Sequence, residues 1–226
     1  MSTSKSLILN ENIKSLVKKQ GFSAETVDLF LKAAMDGVSR GVNRSLSDFR
    51  KSPRDYKFRN CKSSRLSGLS KSDFELEYLK EPKLRNAIKH LKSYGVDYYL
   101  LEGKALFCFK KMDQKGRISG SNTKRFKEIM KDGFVKYTEN MYKELTKMGI
   151  LKPLPIIYIG YQLDKLGTTL LDVKCVYFEN DKIDYCFSLL DMYRTNLFNT
   201  NTKQEDLVEI QPSIKVKKKT SGRKSS

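Results

Sequence analysis

"IIYIGYQLDKLGTTLLDVKCVYFENDKIDYCFSLL", residues 156–190, carries the pattern that decides the fold. Three runs rich in apolar, β-branched and aromatic residues are separated by turn chemistry. Lys165-Leu166-Gly167 follows the first run and Glu179-Asn180-Asp181-Lys182 follows the second. In the third, Ile183, Tyr185, Phe187 and Leu189 alternate with Asp184, Cys186 and Ser188, the period of a strand with one buried and one wetter face. Connections this short pair neighbouring strands antiparallel, so the stretch predicts a three-strand meander.

Working upstream, Pro153 and Pro155 close off a helix and open the first of these strands. "VDYYLLEGKALFCFKK", residues 96–111, reads as two more strands around a tight turn at Glu102-Gly103. Helices are expected over about 81–94, ended by Gly95, from near Thr123, and over about 135–148. Nearer the N-terminus, Asn10 can cap a short helix through Ile13, Leu16 and Val17 that Gly21 ends. Ser23 can cap a longer one, in which Val27, Phe30, Leu31, Ala34, Val38, Val42, Leu46 and Phe49 recur at helical spacing.

The fold class is therefore α+β: an N-terminal helical segment, then a mixed domain with flanking helices and an antiparallel sheet of about five strands. The chain divides into a helical segment (1–52), a basic irregular linker (53–75), the α+β domain (76–192) and a polar, basic tail expected to be disordered (193–226).

At 226 residues, with 39% hydrophobic and 31% charged residues, the chain can bury a core without disulfide or metal staples. The N-terminus lacks the apolar run of a signal peptide, and no stretch approaches the ~18 apolar residues of a membrane span. These features predict a cytoplasmic protein, nuclear if the cell is eukaryotic, with no membrane partner. Cys61, Cys108, Cys175 and Cys186 show no CxxC spacing and His90 is the only histidine, so no metal and no cofactor are expected. Ser–His or Cys–His catalysis would have to use His90, which has no companion motif. No GxxxxGK[ST] occurs, which argues against nucleotide hydrolysis. Heavy use of Lys, Asn and Ile suits an AT-rich genome such as that of a bacterium or phage.

The net charge of +18 points to polyanions, nucleic acid (DNA or RNA) before an acidic protein surface. Positive charge comes mostly from lysine, yet six of the 11 arginines fall within residues 39–65. On a helix running to Lys51, Arg40, Arg44 and Lys51 lie opposite the apolar face. Beyond Pro53, Arg54, Lys57, Arg59, Lys62 and Arg65 continue the charge into what reads as a mobile arm. A guanidinium grips phosphate through two parallel hydrogen bonds, so stripe and arm predict a phosphate-backbone contact. Lys217, Lys218 and Lys219 in the tail would add an auxiliary one. Arg117, Lys124 and Arg125 flank a predicted helix start and form a third anion-binding candidate. Arginines paired to carboxylates elsewhere in the fold would explain the same cluster without a ligand.

Residues 15–31, "SLVKKQGFSAETVDLFL", resemble the helix-turn-helix of bacterial DNA-binding regulators, with Gly21 at the turn and Val27 and Phe30 at apolar positions of the second helix. Glu25 and Asp28 would then stand where base-contacting side chains belong, and an ordinary αα-hairpin accounts for the same residues. Phe107 and Phe109 share a strand face with a faint look of a stacking platform, but core packing is the better account of that face. Two alternatives to a non-catalytic nucleic-acid-binding protein stay open. One is a divalent-metal nuclease built on Asp164, Asp172 and Lys174, where a D-x-K triplet on a strand would hold the metal and orient water. The other is an inhibitor- or antitoxin-like module docking on an acidic protein.

Overall fold

The computed structural model describes residues 11–113, 115, 117–118, 137–179 and 182–193. Its central strand is Ile156–Leu163, every residue of which is buried. Such a strand reads as an unbroken apolar run because both faces of the sheet are covered there. In chain order the elements are α1 (Glu11–Gln20), α2 (Ala24–Lys51), α3 (Arg59–Tyr78), α4 (Pro82–Ala87), β1 (Ile88–Ser93), β2 (Val96–Leu101), β3 (Ala105–Met112), α5 (Glu139–Lys147), β4 (Ile156–Leu163), β5 (Leu170–Glu179) and β6 (Lys182–Ser188).

The sheet has six strands in sequence order, β1 to β6. All neighbours are antiparallel except β3 and β4, which run parallel, with Leu106 opposite Ile156 and Met112 opposite Gln162. The connection between them is a long crossover carrying α5, which returns the chain to the same end of the sheet. The expected meander is β4–β5–β6 and the expected hairpin is β2–β3. An antiparallel sheet of about five strands thus becomes a mixed sheet of six.

The extra strand is β1. "LRNAIKHLKSYG" spaces Leu84, Ile88 and Leu91 as a helix would, but only Pro82–Ala87 is helical. Ile88–Ser93 pairs with β2 through the two-residue turn Tyr94-Gly95, both at positive φ (49° and 76°). The following turn, Glu102-Gly103, is likewise left-handed at both positions.

Two apolar layers sandwich the sheet. On one face Val27, Phe30, Leu31, Val38 and Val42 of α2 and Phe74 of α3 pack on Tyr99, Phe107, Phe109, Ile157 and Ile159. Phe107 and Phe109 are therefore core residues, with the Phe30 ring 4.2 Å from Phe107 and the Phe74 ring 4.7 Å from Phe109. On the other face Met141 and Leu145 of α5 cover Leu106, Cys108, Ile156 and Tyr158. The burial of Val27 and Phe30 and the partial exposure of Asp28 make α1–α2 an αα-hairpin docked on the sheet, with no free recognition helix.

The largest departure from expectation is α3, which occupies most of the stretch read as an irregular basic linker over 53–75. Its start at Arg59 also turns the expected mobile arm from Arg54 to Arg65 into a short turn followed by helix. The helix is hidden from hydrophobic periodicity because its buried face includes Ser70 and Asp73 beside Leu66 and Phe74. It can bury such a face because α2 presents glycine to it. A Cβ on Gly37 would lie 2.4 Å from the Phe74 Cα, and one on Gly41 2.4 Å from the Leu69 carbonyl oxygen. At that separation backbone meets backbone, and Ser45 and Ser70 satisfy their own hydroxyls on Gly41 and Leu66 carbonyls. The expected helix from Thr123 lies outside the described residues, as does nearly all of the expected disordered tail.

Candidate nucleic-acid interface

The α2–α3 hairpin explains much of the arginine cluster. Arg40 pairs with Glu77, Arg44 with Asp73, and Arg65 donates through Nε (3.0 Å) and Nη2 (2.6 Å) to Asp48 Oδ2. Arg50 Nε donates to the Leu46 carbonyl at 3.3 Å. Three of the arginines expected on phosphate thus fasten one helix to the other. Burial works against the Glu77 carboxylate, but hydrogen bonds from Lys80 and Arg40 hold its pKa below the ordinary value. The guanidinium fork suits this clamp for the same reason it suits phosphate: it satisfies two directions at once on a carboxylate taken partly out of water.

The remaining members behave differently. Lys51, Arg54, Lys57 and Arg59 are exposed, and no ion pair joins them to a carboxylate among the described residues. They follow the chain from the end of α2 through the turn into the first residue of α3, whose opening turn contains no acidic residue and no side-chain cap. Next to them is a groove of about 590 Å³ between the ends of these helices and the sheet. Arg59 and Lys62 line it from α3, Lys111 from the end of β3 and Lys165 from the β4–β5 loop, and no carboxylate lines it. Its apolar lining comes from Phe49, Leu66, Tyr161, Leu163 and Leu166, the last 85% exposed at the loop tip. Burial pushes the Tyr161 phenol up to about 12. Lys62 Nζ stands 5.9 Å from the Phe49 ring centre, and Tyr56 packs on that ring at 4.8 Å.

Lys111, Lys165 and Leu166 were not legible as one site with Arg59, because about a hundred residues separate α3 from the β4–β5 loop. The only local signal was the basic end of "FCFKK". Register brings the ends together, since Lys111 lies opposite Tyr161 in the parallel β3–β4 pair.

The other candidates do not gather. Arg117 is held by its own turn, its Nε 2.7 Å from Asp113, while Lys124, Arg125, Lys217, Lys218 and Lys219 lie outside the described residues. Asp164 closes the β4–β5 loop, accepting the N–H groups of Thr168 (2.5 Å) and Thr169 (2.9 Å) and the Thr168 hydroxyl (2.9 Å). The Thr169 and Thr168 amides hold its carboxyl below the ordinary range. Asp172 accepts the Ser188 hydroxyl at 2.6 Å and stands 3.9 Å from Lys174 on the same strand face. Burial raises the Asp172 pKa. Among the described residues no three His, Cys, Asp or Glu side chains form a metal-holding group. His90, expected on a helix, sits on β1, stacked on Tyr99 with ring centres 5.0 Å apart and Nε2 3.1 Å from Asp97. Among the described residues no helix is long and apolar enough to cross a membrane. No protein-family model, curated protein or solved structure matches the chain.

Proposed function

We propose that this protein binds nucleic acid through the phosphate backbone. The groove between α3 and the β4–β5 loop is the principal contact, and Lys51, Arg54 and Lys57 extend it along the adjoining turn. The observation that carries the reading is the convergence of Arg59, Lys62, Lys111 and Lys165 on one groove that no carboxylate lines. The same fold pairs Arg40, Arg44 and Arg65 with carboxylates, whereas the groove brings Arg59, Lys62, Lys111 and Lys165 together with none among its lining. Such a concentration costs self-repulsion and is rewarded when a polyanion releases its counterions on binding.

Binding of labelled oligonucleotides to the full chain should weaken steeply between about 50 and 200 mM salt. Replacing Arg59, Lys111 and Lys165 with alanine should lower the slope of log affinity against log salt by roughly 0.7–0.9 for each phosphate that is no longer neutralised. Replacing Arg40 and Arg65 should reduce stability and leave that slope unchanged. Binding indifferent to salt, or to the triple replacement, would remove the groove as the site. Absence of nucleic-acid binding, with tight capture of an acidic protein, would transfer the partner to the protein class.

A further inference from the structure

We infer that the groove takes an unstacked nucleotide of a single-stranded chain, an inference that rests on the nucleic-acid reading above. A duplex offers phosphates on a convex outer surface and keeps its bases stacked inside, so it rewards cations and leaves apolar surface unused. This groove is concave, and its volume of about 590 Å³ lies within the range of pockets that enclose small organic groups, about 300–1,000 Å³. Its lining combines cations with apolar side chains. Leu166 stands 85% exposed at the rim beside Lys165, with Leu163 below it at 8%. An exposed leucine beside Lys165 has no role in phosphate contact, whereas a base laid against it covers the apolar area while the flanking phosphates reach the cations. The cations also stand on two walls, Arg59 on the helix side and Lys111 and Lys165 on the sheet side, so a chain threading between them meets charge before and after the base. Tyr56 and Lys62 both stand against the Phe49 ring, whereas the Leu166 side chain is open, so the leucine offers the surface for the base.

The test compares a single-stranded homopolymer of deoxythymidine or uridine with a hairpin duplex of equal length, by fluorescence anisotropy on the full chain. Leu166→Ser is the probe variant, chosen because an exposed loop side chain can be replaced without unfolding the sheet. A single strand carrying 2-aminopurine reports on the base itself. Single strands should bind more tightly than the duplex. Leu166→Ser should weaken single-strand binding by about fivefold or more, leave duplex binding unchanged and reduce the rise in 2-aminopurine fluorescence that unstacking produces on binding. The double variant Lys111→Ala/Lys165→Ala should weaken both ligands. Equal binding of strand and duplex, both weakened by the charge variant and neither by Leu166→Ser, overturns this inference and leaves the nucleic-acid reading standing. Binding of neither ligand, or no effect of the charge variant on either, overturns both.

Discussion

Asp73 shows at the scale of one residue why arginine replaces lysine in the α2–α3 hairpin. Its side chain is wholly buried, one carboxylate oxygen faces Arg44, and the other has no hydrogen-bond partner. A carboxylate in that position depends on a cation that reaches in from the surface, and Arg44 does so with half of its own side chain in water. Arg44→Ala should therefore destabilise the protein by on the order of 2 kcal/mol, below the roughly 3–5 kcal/mol of a fully buried pair because the guanidinium is partly solvated. Urea midpoints for Arg44→Ala, Asp73→Asn and the double variant would check this. If the double variant is no more stable than Arg44→Ala, the stranded charge is not the cause. The same residues mark the limit of sequence reading. The arginine enrichment is visible in the sequence, and so is the choice between phosphate and carboxylate partners. Nothing local assigns Asp73 and Glu77 to a face, because the helix that carries them leaves no periodic signal.

Helix α3 and its crossing with α2 set the next scale. Gly37 and Gly41 let the two backbones approach until a single added methyl would sit 2.4 Å from the opposing main chain. Gly68, on the outer side of α3, has nothing within 4 Å. Alanine is intrinsically favoured over glycine within a helix by about 1 kcal/mol, so the two sites should respond with opposite signs. Gly68→Ala should raise the stability modestly, by up to about 1 kcal/mol. Gly41→Ala should lower it, by about 1–3 kcal/mol, as overpacking outweighs propensity. Thermal melts of the two variants decide the matter, and a stabilising Gly41→Ala would mean that the helices stand further apart than described. The crossing also explains why residues 59–75 read as irregular. A helix that packs through glycine, serine and a paired aspartate leaves no apolar stripe at 3.6-residue spacing, whereas α2, with Val27, Phe30, Leu31, Val38 and Val42, leaves a clear one.

For the molecule as a whole, the surplus of 18 positive charges makes each well-placed carboxylate count. Burial alone would raise the pKa values of Glu77, Asp97 and Glu102. Hydrogen bonds outweigh it: from Lys80 and Arg40 to Glu77, from Lys71 and His90 to Asp97, and from the Ser23 amide and Lys104 to Glu102. Their folded-state pKa values lie below the unfolded ones, so the stability they contribute is present above the ordinary 4.5 of Glu and 3.8 of Asp. That stability is lost as pH falls from there through the depressed folded values, while the net charge climbs further. The melting temperature should accordingly be flat near neutrality and fall steeply below about pH 4.5. A melting temperature unchanged down to about pH 3 would show that these contacts contribute nothing. The sequence by itself determined the α+β class, the β4–β5–β6 meander, the β2–β3 hairpin and the long α2, because each declares itself through local periodicity and turn chemistry. Only the tertiary structure decided that β3 and β4 run parallel, that α3 exists and that Arg40, Arg44 and Arg65 are clamps. It likewise assembled Arg59, Lys62, Lys111 and Lys165 around one groove. These features arise from contacts between segments far apart in the chain, where glycine-mediated approach and strand register carry the information and no local pattern does.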